Sequence, residues 1–129
     1  LILESAFTST KAMARTMPLF ALLSPLLPAH YNNLEKIKNI AIPKLIIHGN
    51  RDEIIPFAMG EQLFEAAPEL KAFYAIEGAE HNDTWVIGGK EYFERMAAFL
   101  EIQPNRNRYQ IRKIAPGVSA SKKKMDDRK

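Results

Sequence analysis

Two short stretches, Lys44-Leu45-Ile46-Ile47-His48 and Ala72-Phe73-Tyr74-Ala75-Ile76, are almost continuously apolar and rich in β-branched or aromatic residues. Runs of this kind predict strands covered on both faces, as in a parallel sheet. Leu1-Ile2-Leu3, ending at Glu4-Ser5, reads as a third strand. Elsewhere the spacing turns helical. Met59, Leu63 and Ala67 recur every four residues with Phe64 beside them, between Pro56, suited to a first helical turn, and Pro68. A last helix opens at Gly89-Lys90 and turns Tyr92, Phe93, Met96, Phe99 and Leu100 inward. Thr8 to Arg15 predicts a helix capped by Ser9 or Thr10. Met17 to Pro28 is apolar but interrupted by prolines, and Asn32-Asn33-Leu34-Glu35 has the form of a capping box ahead of a short helix through Ile37. The order strand, helices, strand, helix, strand, helix predicts an α/β fold, with right-handed βαβ units and parallel strands alternating with helices.

The 129 residues fit one domain, and 47% hydrophobic content suffices for a buried core. Charge divides the chain. Residues 1–101 hold nine Lys+Arg and thirteen Asp+Glu (9 − 13 = −4), whereas residues 102–129 hold nine and two (9 − 2 = +7). The basic excess therefore belongs to a tail, in which Lys122-Lys123-Lys124 and Asp126-Asp127-Arg128-Lys129 predict solvated, disordered chain. The expected boundaries are a folded part over 1–101 and a tail over 102–129. The mildly acidic folded part gives no sign of a nucleic-acid surface. No apolar run reaches the ~20 residues that cross a bilayer. The chain has no cysteine, which excludes disulfides, thiol nucleophiles and cysteine-bound zinc within it. It opens on Leu1 in the midst of a strand pattern, so further residues are expected upstream, and compartment stays open between cytoplasmic and membrane-associated.

The chemistry concentrates in two passages, His48-Gly49-Asn50-Arg51-Asp52-Glu53-Ile54-Ile55-Pro56 and Gly78-Ala79-Glu80-His81-Asn82-Asp83. Parallel strands share one carboxyl edge, where reacting side chains collect. Asp52 follows one strand and His81 the next, so neighbouring strands would open both loops on that edge. An imidazole can take and return a proton, provided a carboxylate holds its other nitrogen. Taken singly, each residue has a plainer reading: an aspartate after a strand usually caps a turn, and a loop histidine is usually a surface residue. Asp83 competes for the carboxylate role, but two residues from His81 it is better suited to cap the following turn. His48 is expected to satisfy a strand-end hydrogen bond and His30 to be exposed. Neither has neighbours at metal-ligand spacing.

These passages, together with Leu3-Glu4-Ser5-Ala6-Phe7-Thr8-Ser9 and the His81-Asn82-Asp83 triplet, resemble the alpha/beta-hydrolase superfamily, in its serine-aminopeptidase-like and depalmitoylase-like branch. The resemblance covers Leu1 to about Glu101 and implies the C-terminal part of that fold. It makes Asp52 the triad acid and His81 the triad base, with no metal and no cofactor. The serine of a Gly-x-Ser-x-Gly turn precedes the acid and histidine in the family's chain order. No such turn occurs here: Ser5, Ser9, Ser24, Ser119 and Ser121 lack the flanking glycines. Glu80 stands where the family commonly has glycine. The family often inserts a cap after this first strand, so Met13, Met17, Phe20, Leu23 and Leu27 would either line an apolar pocket or cover the sheet.

The implied function is a serine hydrolase of an ester, thioester or amide, acting on a small-molecule or acyl substrate. This chain would supply acid and base only and be inactive alone. The alternative is a non-catalytic or truncated relative acting as a binding module. A third possibility, that the tail binds nucleic acid or anionic lipid, rests on charge alone. Oligomeric state and membrane association are left open.

Overall fold

The computed structural model describes residues 1–27 and 31–101. The basic tail, Pro28 and His30 lie outside the described residues. The elements run β1 (Ile2–Glu4), α1 (Thr10–Thr16), α2 (Pro18–Ala21), a 3-10 turn (Ser24–Leu26), α3 (Asn33–Ile37), β2 (Lys44–Gly49), α4 (Phe57–Ala66), β3 (Lys71–Ile76) and α5 (Thr84–Glu101). The three strands form one parallel sheet in the order β1-β2-β3. Ile46 aligns with Leu3 on one side and with Phe73 on the other.

Every residue of β2 is buried, as its almost continuously apolar run predicts for a central strand. Alternate residues serve opposite faces. Leu45 and Ile47 join Tyr74, Ile76 and Ala79 in a core closed by Tyr92, Met96 and Phe99 of α5. Ile46 joins Ile37 of α3 and Leu63 and Phe64 of α4 on the other face. Helices thus cover both sides of the sheet. The strand begins with a fully buried lysine. Lys44 Nζ donates to the carbonyls of Ile40 and Ile42 at 2.7 and 2.8 Å, closing the turn that feeds β2. Burial, and then repulsion from Lys71, lower its pKa against the pull of Glu69.

Local signals account for most element ends. Ser9 caps α1, its side chain accepting from Ala12 N at 3.0 Å. Asn32 caps α3 in the same way, through Glu35 N at 3.2 Å. The reciprocal half of the expected box is replaced: the Glu35 carboxylate pairs with Lys38 Nζ at 2.6 Å. Pro56 stands at the cap of α4 rather than inside its first turn. The largest departure is in α5, which begins at Thr84 and not at Gly89. Gly89 instead breaks it, at φ 51 and ψ −134, a conformation that glycine adopts without a Cβ penalty. The glycine pair is therefore a bend within the element. Asp83 starts the helix upstream, its carbonyl accepting from Val86 N and Ile87 N at 2.9 Å each.

Candidate functional site

Both passages singled out by the sequence emerge at the carboxyl edge of the sheet, after β2 and β3, which are direct neighbours. Main-chain bonds draw the loops together. Asn50 N donates to Ile76 O at 3.1 Å, and Arg51 N to Ala79 O at 2.9 Å. The Asn50 side chain adds two more links: its Oδ1 accepts from Gly78 N at 2.7 Å, and its Nδ2 donates to Glu77 Oε2 at 2.6 Å. Contact is so close at Gly49 that a Cβ there would lie 2.3 Å from the Ala79 carbonyl oxygen. Only glycine fits without moving backbone.

The Asp52 carboxylate is buried, and each oxygen has partners. Oδ1 accepts from Ile54 N at 2.9 Å and Ile55 N at 2.7 Å. Oδ2 lies 2.8 Å from His81 Nδ1. The same Oδ2 lies 3.3 Å from Nε2 of a second, fully buried imidazole, His48. Burial alone would raise the Asp52 pKa. The amide of Ile55, the imidazole of His81 and the amide of Ile54 outweigh it, and the carboxyl is held below its ordinary value.

A carboxylate accepts, so His81 Nδ1 carries the hydrogen, and in the neutral imidazole Nε2 is the bare ring nitrogen. The His81 side chain is a quarter exposed, against none for Asp52. It stands in a cleft lined by Glu53, Ile54, Glu80, Asn82 and Asp83. Asp83 does not reach the imidazole: its Oδ1 accepts from Glu80 N at 2.7 Å and closes the turn around residue 81. The loop is also tied to the far strand. Glu4, at the end of β1, receives the hydroxyls of Thr84 and Tyr92. Among the described residues no group of three or more His, Cys, Asp or Glu side chains is arranged to hold a metal ion. Ser5 follows β1 with φ 42, and its buried Oγ has no hydrogen-bond partner. Such an arrangement can hold and orient an imidazole whose outer nitrogen is free to exchange a proton.

Sequence reasoning overlooked Asn50, Gly49 and Glu4 as supports, and it read His48 as a strand-end hydrogen bond alone. That bond exists, from Nε2 to Ile55 O at 3.0 Å. The approach of His48 to Asp52 depends on the loop folding back, which no local pattern announces.

No protein-family model matches the chain. An uncharacterised protein of Mycobacterium tuberculosis is 33% identical over 100 residues, which cover 78% of this chain and 36% of that protein. Human alpha/beta hydrolase domain-containing protein 17B is 41% identical over 70 residues, which cover 54% of this chain and 24% of that protein. The chain thus spans only about a third or less of these relatives. Among solved structures, the esterase domain of a Rhodothermus marinus protein superposes with a TM-score of 0.51 at 17% identity, over 74% of this chain and 49% of that one. The last likeness is one of fold.

Proposed function

We propose that this chain, a relative of the alpha/beta hydrolases over part of its length, contributes the acid and base of a serine hydrolase acting on an ester, thioester or amide. The observation that carries the reading is the 2.8 Å bond between Asp52 Oδ2 and His81 Nδ1 at adjacent strand ends. It leaves Nε2 as the proton acceptor. In the intact protein a serine from outside this chain attacks the substrate carbonyl while Nε2 takes its proton. The tetrahedral intermediate collapses as that proton passes to the leaving group, and an acyl-enzyme remains. Water, deprotonated by the same nitrogen, releases the acid. Asp52 stays ionised throughout and holds His81 in the Nδ1–H tautomer. The low carboxyl pKa suits that role. The cycle needs no metal or cofactor, and by itself the chain has no covalent route.

A fluorophosphonate probe on the full-length protein tests the reading. Labelling is expected, with His81→Ala and Asp52→Asn slowing it by about 10⁴-fold. No labelling, or labelling indifferent to both changes, would count against it. A second reading, that of a non-catalytic relative, draws on one observation: no Gly-x-Ser-x-Gly turn occurs in these 129 residues. It would gain from a probe-silent full-length protein that still binds an acyl ligand.

A further inference from the structure

We infer that His48 is a positioning residue for the Asp52–His81 pair, acting through the Ile55 peptide that also holds the Asp52 carboxylate. The inference rests on the proposed roles of Asp52 and His81, and it adds a third side chain to them. His48 Nε2 faces the Ile55 carbonyl at 3.0 Å. A carbonyl can only accept, so Nε2 carries the hydrogen. The N–H of the same Ile55 donates to Asp52 Oδ1 at 2.7 Å. One residue is thus gripped at both ends, by the imidazole at its carbonyl and by the carboxylate at its amide. Nε2 also lies 3.3 Å from Asp52 Oδ2, the oxygen that receives His81. The positive end of its N–H therefore sits beside the carboxylate charge.

Three further features show how closely the ring is held. It is fully buried at the end of β2. Phe57 packs edge-on against it, with centroids 5.7 Å apart. Along the same helix, α4 has a glycine where a helix interior favours alanine: a Cβ at Gly60 would stand 2.5 Å from His48 Nδ1. Glycine at such a position is less favourable to a helix than alanine. The helix gives up that stability at the one place where the ring needs room. Nδ1 itself is buried and without a partner, so the ring's single bonding hydrogen is the one directed at Ile55. Removing it leaves the Ile55 carbonyl buried and unpaired and frees the turn that aims Asp52.

The test uses ¹⁵N-histidine NMR and turnover in the full-length protein. Wild type is expected to show His48 as the Nε2–H tautomer and a downfield, slowly exchanging His81 Nδ1–H. His48→Leu should shift that resonance upfield and hasten its exchange. It should also lower kcat about tenfold with KM little changed, as expected of misplacement rather than lost binding. His48→Gln keeps a donor near the ε position and should recover part of both. Gly60→Ala, which crowds the ring from outside, should disturb the His81 signal in the same direction. A folded His48→Leu variant with unchanged signal and kcat would overturn the inference and leave the acid–base reading standing. Should His48→Leu fail to fold, the wild-type tautomer decides: an Nδ1–H form at His48 overturns it. A wild-type protein with no carboxylate-bonded His81 signal would overturn both. Failed probe labelling beside an intact His48–His81 dependence would strike the hydrolase reading alone.

Discussion

The loop that carries Asp52 and the loop that carries His81 leave the same sheet edge, but they are secured differently. Asp52 is held by its own neighbourhood: the amides of Ile54 and Ile55 bind its carboxylate, and its N–H reaches Gly49 O at 3.3 Å. The His81 loop closes its own turns through Asp83 and through Ala79 N to Ile76 O at 3.3 Å, and it is joined to other segments at Asn50, at Arg51 and, by way of Thr84, at the Glu4 carboxylate. The difference extends to exposure, with the Asp52 side chain wholly buried and that of His81 a quarter open. A group that only orients can be enclosed, whereas a group that exchanges protons with a substrate has to face the cleft. The comparison also indicates where each would fail. The first loop yields to changes within itself, and the second to changes in its neighbours.

Gly49→Ala should break the comparison most severely, because the new Cβ meets the Ala79 carbonyl at 2.3 Å and pushes the two loops apart. A loss of about 1–3 kcal/mol is expected, the usual cost of overpacking. Urea titration of the full-length protein measures it, and an unaltered midpoint would contradict the close approach. Asn50→Ala is expected to cost less, about 1–2 kcal/mol for two hydrogen bonds. It should loosen the histidine loop selectively: amide exchange should quicken at Gly78 and Ala79 but not at Ile54 and Ile55. Equal quickening in both loops would mean that they are not supported separately. The smallest effect concerns acid. The Asp52 pKa is lowered in the folded protein, so its contribution to stability is present above the ordinary value of 3.8 and is lost as pH falls through the lower folded value. The stability–pH curve of Asp52→Asn should therefore be flatter than wild type below about pH 4. Parallel curves would show that the carboxylate makes no such contribution.

Much of this arrangement could be read before any coordinates, for identifiable reasons. β2 declares itself because a strand covered on both faces has no polar alternation to blur the pattern. The meeting of residues 52 and 81 followed from parallel strands sharing an edge, a matter of direction rather than of side-chain detail. The two-residue spacing from His81 points Asp83 away from the carboxylate role, but its side chain closes the preceding turn through Glu80 N rather than capping the following one. What escaped were contacts made across the chain. Asn50 to Gly78 and Glu4 to Thr84 join residues far apart in sequence, and nothing local distinguishes either residue from an ordinary polar one. The start of α5 escaped for the opposite reason. Gly88-Gly89 is a strong local breaker, yet Thr84 is already inside the helix, and the chain bends at Gly89 and continues.

The main-chain and side-chain partners of Asp52 nearly all fall within residues 48–55. Such a stretch brings its own scaffolding wherever it goes. Grafted onto another parallel strand together with the contacts that Gly49, Asn50 and Arg51 make to the neighbouring loop, it would carry its carboxylate already aimed. The histidine stretch has no such portability, since a new host would have to provide its braces.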